Sequence, residues 1–158
     1  MVNKLGNRKG FTLVELMIVI AIIGIFAAIA ILSFMQFRLK AKTAEAKSNL
    51  GAIRTTEVAY FAEWNQYVGN QQPTPVLDRT HNIVKTRWVT NTRFSILGFA
   101  PEDHVYYSYG IDPVGDDYPM GSTGYTLYAR ADLDDDGLLS TLQVNSISIE
   151  VDHLGDDF

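Results

Sequence analysis

Apolar and polar positions fall into three regimes along this chain. From Leu16 to Leu32 there are 17 consecutive apolar or glycine residues, and with only Thr12, Glu15, Ser33 and Gln36 interrupting, the run extends from Phe11 to Phe37. At ~1.5 Å per helical residue such a run spans ~40 Å, enough to cross a ~30 Å hydrocarbon core. The second regime, residues 38–67, is rich in helix formers, and no proline occurs before Pro73. Ala46, Leu50, Ile53, Tyr60, Phe61 and Trp64 share one face at helical spacing. One helix of roughly 80 Å is therefore predicted from about Phe11 to Trp64, its first half uniformly apolar and its second half amphipathic. The third regime, residues 68–158, opens with "VGNQQPTPVLDRT", a connecting loop by its breakers. It continues with short strand-like runs, "NIVKTRWVT", "HVYYSYG", "YTLYARA" and "TLQVNSISIEV". In the last run Ile147, Ile149 and Val151 alternate with Ser146, Ser148 and Glu150, the signature of a strand with one wet face. Short Gly- or Pro-bearing connections predict an antiparallel sheet, covered by the apolar stripe of the helix. The fold class predicted is α+β.

Charge sharpens this division. Residues 1–10 hold Lys4, Arg8 and Lys9 with no acid, whereas residues 101–158 hold 13 acids against the single base Arg130. Basic flanks stay on the cytoplasmic side of a span, so the acidic end is expected outside. An ordinary secretory signal has a shorter apolar stretch and a small-x-small cleavage site, and neither is found here. There is no cysteine, so disulfides play no part.

Residues 8 to about 30 carry a resemblance. "KGFTLVELMIVIAIIGIFAAIA" resembles the start of type IV prepilins: a short basic leader, Gly10, Phe11, Glu15 and a long apolar helix. The resemblance implies a leader, residues 1–10, removed between Gly10 and Phe11 by a prepilin peptidase that also methylates the new amine. It implies a membrane and filament-core helix (11–37), an amphipathic continuation (38–67), and a connecting loop with a β-rich head (68–158). It further implies a homo-oligomeric filament built by pilus assembly machinery from subunits first held in the inner membrane. Many pilins carry a proline about twenty residues after the cut; here "AIAILSFMQF" has none, and Gly24 is the remaining weak point, costing about 1 kcal/mol of helix preference. A straighter helix is expected.

The acid in the span has its own logic. A carboxylate in apolar surroundings is costly unless paired, and no Lys or Arg lies between Phe11 and Phe37. Cleavage before Phe11 would create an amine at the end of the helix, available to Glu15 of the same chain or of a neighbour displaced along the axis. A protonated Glu15 near the headgroups is the alternative. Thr12 either adds a hydrogen bond there or is satisfied by its own helix.

Other residues invite chemistry. Glu57 falls inside the apolar stripe; it either pairs with one of Arg79, Lys85, Arg87 and Arg93 or reaches solvent at the stripe's edge. Tyr60, Phe61 and Trp64 read as core packing in preference to a ligand platform or a charge path. In "ADLDDDGLLST", Asp132, Asp134 and Asp136 alternate before Gly137, an arrangement that lets carboxylates converge on a hard cation such as Ca²⁺. A full EF-hand fails, because counting from Asp132 puts Gln143 where a bidentate Glu is needed and strands flank the loop. A calcium site in a β-loop, with Asp116 or Asp117 contributing, stands beside a solvated turn formed by Asp135 and Gly137. His81, His104 and His153 show no ligand spacing, and no nucleophile elbow or phosphate loop is found, so an enzyme is not expected. The bases from Arg79 to Arg93, with Trp88 among them, suggest a nucleic-acid patch or a strip pairing with a neighbour's acidic head. The formal net charge of −5 becomes −8 once three leader bases are lost, which disfavours general binding to phosphate backbones.

The expected function is a structural subunit of a type IV pilus, inner-membrane before assembly and extracellular after it. A type II secretion pseudopilin and an uncleaved, membrane-anchored module binding calcium or a partner are the competing readings.

Overall fold

The computed structural model describes residues 10–68, 71–76, 84–89, 92–101, 104–114, 120–122, 124–148 and 152–154. The dominant element is α1 (Leu13–Trp64), a 52-residue helix that passes Gly24 and Gly51 without interruption. Its start lies two residues beyond the predicted Phe11, because Thr12 serves as the N-cap. Its end is set by Asn65, whose φ of 52° places it in the left-handed region where a short polar side chain is tolerated.

The chain divides into two compact units, Met1–Phe37 and Arg38–Phe158. In the first, all 18 large apolar side chains from Phe11 to Phe37 are exposed, the least of them, Val19, by 43%. Ser33 Oγ donates to the Ile29 carbonyl at 3.2 Å, so this hydroxyl is satisfied within the helix. The helix is long and apolar enough to cross a membrane.

The second unit holds the core. Among its described residues the strands are β1 (Tyr67–Val68), β2 (Gln71–Thr74), β3 (Thr86–Arg87), β4 (His104–Val105), β5 (Ser108–Val114), β6 (Met120–Ser122), β7 (Gly124–Ala131), β8 (Ser140–Asn145) and β9 (Asp152–Leu154), with a short helix α2 (Thr92–Ile96) before β4. All pairings are antiparallel: a main sheet in the order β2-β5-β7-β8-β9, and the two-stranded pairs β1-β6 and β3-β4. Central β7 pairs with β5 from Ser108↔Arg130 to Val114↔Gly124 and with β8 from Thr126↔Asn145 to Ala131↔Ser140. Ala46, Leu50 and Ile53 of α1 are fully buried in one cluster with Tyr107, Tyr109, Ile111, Tyr125, Leu127 and Leu142. The helix stripe thus covers the sheet as its spacing predicts.

Several sequence expectations are corrected. The aromatic end of the stripe is not core throughout: Tyr60 is half-buried, Phe61 stacks on Tyr67 at 4.5 Å between centroids, and Trp64 is 58% exposed. The run 141–151 is not one strand. β8 ends at Asn145, whose Oδ1 accepts the N–H groups of Ile147 and Ser148, turning the chain out of the ladder and leaving Ile147 93% exposed. Ile149, Glu150 and Val151 lie outside the described residues. Among the described residues 84–89 of the run 82–90, pairing is confined to Thr86–Arg87, and the run 104–110 breaks between β4 and β5. The connecting loop after Tyr67 contains β1 and β2, and Pro73 is tolerated because β2 is an edge strand. Helix α2 was not expected. It closes in a Schellman motif: Gly98 at φ 68° donates to the Ser95 carbonyl (3.1 Å), and Phe99 donates to the Phe94 carbonyl (2.9 Å). The Phe94 and Phe99 rings sit 5.6 Å apart over this turn.

Candidate assembly site

Thr12 and Glu15 form a reciprocal cap on α1. The Glu15 N–H donates to Thr12 Oγ1 (3.2 Å), while the Thr12 N–H (3.1 Å) and hydroxyl (2.9 Å) both donate to Glu15 Oε2. This is the T-x-x-E capping box, which satisfies two of the donors left orphaned at a helix start. The spacing Thr12-Leu13-Val14-Glu15 carries that signature in the sequence itself. Glu15 therefore has neutral donors within its own chain. The Phe11 nitrogen is an amide in this chain, and the pairing of Glu15 with a Phe11 amine belongs to a cleaved form. Gly10 and Phe11 precede the helix, outside its hydrogen-bond ladder, and both are exposed. Phe11 is 75% exposed.

The acidic loop after β7 brings Asp132, Asp134 and Asp136 together, with one carboxylate oxygen from each lying within 4.8 Å of the others. Asp132 is buried, and its two oxygens accept the N–H groups of Asp135 (2.7 Å) and Gly137 (2.9 Å). Asp136 Oδ1 accepts from the Leu138 N–H at 2.8 Å. Asp135 (φ 68°) and Gly137 (φ 85°) make the sharp turns. The loop thus closes through its own backbone, and Lys42 Nζ braces it from α1 by donating to the Leu133 carbonyl at 3.3 Å. Three converging carboxylates suit a hard cation, whose remaining ligands would have to be carbonyls and water. Asp116 and Asp117 lie outside the described residues.

Glu57 is fully buried and meets neither of its expected fates. Its Oε2 accepts the Val68 N–H at 3.1 Å, and Oε1 is buried without a partner. Burial pushes its carboxyl up to about 7, opposed by the Val68 hydrogen bond. Lys85 pairs with Glu45 of its own chain at 3.2 Å, and Arg79 lies outside the described residues. Trp88 is a core residue packed on Phe94, Phe99 and Tyr109, which removes it as a stacking platform for bases.

A capped, wholly exposed apolar helix joined to a helix-and-sheet unit with a full core of its own defines a class: a subunit whose N-terminal surface is completed by lipid or by other helices. The comparisons with known proteins agree. Residues 5–31 match the prokaryotic N-terminal methylation motif. The chain is 54% identical over 61 residues to the type IV major pilin protein PilA of Myxococcus xanthus, covering 39% of this chain and 28% of the relative. It is 52% identical over 59 residues to the type IV major alpha-pilin of Moraxella bovis, covering 37% of each. It is 41% identical over 66 residues to a fimbrial protein of Pseudomonas aeruginosa, covering 42% of this chain and 43% of the relative. The matches thus span less than half the length of each of these relatives. No solved structure matches the chain significantly. The N-terminal region of the chain is thus similar to that of type IV pilins, and its long helix with an antiparallel sheet is consistent with the pilin fold.

Proposed function

We propose that this chain is a structural subunit of a type IV pilus and not an enzyme. The observation that carries the reading is the apolar helix from Leu13 to Phe37, exposed on every side and headed by the Thr12–Glu15 cap. In the inner membrane, residues 11–37 span the bilayer with the acidic head outside. A prepilin peptidase cuts between Gly10 and Phe11 and methylates the Phe11 amine; the bond lies ahead of the first helical turn, where no helix need be unwound to reach it. Assembly machinery then moves the helix from lipid into a bundle of its copies. Lipid tails are as apolar as the side chains they replace, so this exchange gains little from the hydrophobic effect. Register along the filament needs a directional contact, and Glu15 facing the Phe11 ammonium of a neighbour supplies it, with Thr12 beside the pair.

Sequencing the N-terminus of the sedimentable fraction tests this reading. A methylated Phe11 start on material that pellets as filaments is expected. An intact Met1 start on chains retained in the membrane would instead support the uncleaved anchored module. Processed chains confined to the envelope of secreting cells would support the pseudopilin reading.

Calcium binding by Asp132, Asp134 and Asp136 is a second reading, favoured by the convergence of their oxygens. The cation would tie three carboxylates that otherwise repel one another.

A further inference from the structure

The first turns of the second unit carry a groove that the pilin reading does not use. Arg38, Ala41, Lys42, Glu45, Lys85 and Tyr106 line about 560 Å³ of it. Lys42 Nζ stands over the Tyr106 ring at 5.2 Å and Lys85 Nζ at 5.0 Å from its centroid. Glu45 is the acid in this lining, and both its oxygens are committed: Oε1 accepts the Tyr106 N–H at 2.8 Å and Oε2 pairs with Lys85 at 3.2 Å. Within this lining three cations therefore face one acid, while Lys42 Nζ also reaches the acidic loop through the Leu133 carbonyl. We propose that this groove binds the phosphate of an anionic lipid headgroup while the chain is anchored in the membrane.

Three observations carry the proposal. Arg38 follows Phe37, the last residue of the apolar run, and Lys42 is one helical turn further on. At ~1.5 Å per residue both fall within the headgroup layer of a bilayer spanned by residues 11–37. The cations are also crowded. Arg38 stands one helical turn before Lys42, and Lys42 Nζ and Lys85 Nζ both lie over the Tyr106 ring. An anion in the groove relieves their mutual repulsion. Finally, the aromatic ring with flanking long cationic stems is the composition that settles at a membrane interface. A second copy's acidic turn has matching charge, but an anchored chain meets lipid phosphate before it meets a neighbour. The proposal rests on the membrane stage of the proposed function and not on filament assembly.

The test uses the full chain in nanodiscs of phosphatidylcholine alone or with phosphatidylglycerol. Acylation of Lys85 is followed by mass spectrometry, with exposed Lys47 as the internal control for general surface potential. A cation near an anionic surface gains a factor of about five in binding, so Lys85 labelling should slow about fivefold relative to Lys47 in the anionic discs. Arg38→Gln should abolish most of that protection, and Arg38→Lys should keep it. Equal labelling in the two discs overturns the proposal, as does full protection retained in Arg38→Gln. Protection that appears only with several chains per disc, and is lost on Asp134→Asn with Asp136→Asn, assigns the groove to a neighbouring copy instead. Protection given by inorganic phosphate in phosphatidylcholine discs, with none from phosphatidylglycerol, assigns it to a soluble anion. A chain that fails to enter discs overturns the membrane stage itself, whereas entry with unchanged labelling overturns the groove alone.

Discussion

Replacing Glu57 by glutamine in the Arg38–Phe158 fragment changes one charge in a site that is otherwise apolar. The wild-type carboxyl is fully buried, takes one hydrogen bond from the Val68 N–H, and has its pKa raised from 4.5 to about 7. Arg54, Tyr67 and Tyr125 lie in the same region, and the Arg54 Nε and the Tyr125 hydroxyl are buried without partners. The folded-state value lies above the unfolded one, so the folded chain holds the proton more tightly. Stability from this group is fully present below about pH 4.5 and is lost as pH rises through 7. At 1.36 kcal/mol per unit the whole loss is about 3 kcal/mol, of which roughly 2.5 falls between about pH 5 and pH 8. Glutamine keeps the acceptor for Val68 and cannot ionise. Urea unfolding at the two pH values should show the wild-type fragment losing roughly 2–3 kcal/mol more than Glu57→Gln on going from the lower to the higher pH. An identical pH dependence in the two fragments would refute the reasoning, because Glu57 would then not be the titrating group.

Four further outcomes follow from named contacts. Glu15→Ala should leave cleavage at Gly10–Phe11 intact while severely reducing filament yield by electron microscopy; normal filaments would remove Glu15 from registry. Gly110→Ala should destabilise the head by about 1–3 kcal/mol in urea, because its Cβ would run into the Tyr128 ring, which sits 4.3 Å from the Arg130 guanidinium; unchanged stability would mean that the ring swings aside freely. Leu50→Ala, at a fully buried site, should cost about 2–5 kcal/mol, whereas Trp64→Ser, at a site 58% exposed, should cost about 0.5 kcal/mol; similar losses would contradict the burial of the stripe. Chelator treatment of the calcium-loaded head should lower its melting temperature, and Asp134→Asn should remove that shift; no shift in the wild type removes the metal reading.

What could be read from the sequence depended on how local the deciding interaction was. The long helix is legible because an apolar run from Phe11 to Phe37 is followed, with no proline before Pro73, by a stripe at helical spacing from Ala46 to Trp64. Leu50 and Ile53 were recoverable for the same reason. Trp64 was misplaced because periodicity fixes an angle around the helix but not how far along the axis the sheet extends. The strand boundary at Asn145 turned on one side chain capturing two N–H groups, which an alternating pattern of Ile and Ser hides. Helix α2 was missed because five residues hold too few turns for periodicity, although Gly98 flanked by Phe94 and Phe99 carried the Schellman signature. At Glu57 the sequence raised the right question, a buried acid, but the answer was a backbone N–H eleven residues away, which no pattern of bases could indicate.

The cap on α1 changes the energetic argument for Glu15. Without it, a carboxylate in an apolar helix would lack any hydrogen-bond donor, and assembly in the wrong stagger would leave a buried charge wholly uncompensated. With Thr12 donating through both its N–H and its hydroxyl, the uncleaved and misaligned states already satisfy one carboxylate oxygen. In the proposed pairing, what a neighbouring Phe11 ammonium would add is charge, and a charge-assisted hydrogen bond is worth roughly twice a neutral one. Under the proposed pairing, the preference for correct stagger would then be smaller than that of a bare buried ion. A preference reduced in this way would not trap single misaligned subunits irreversibly. Repeated at every subunit of a filament, it still selects one register, because each added helix makes the contact with its neighbours in the same sense. In the proposed filament, the Thr12–Glu15 box would thus temper how strongly the directional contact favours one register.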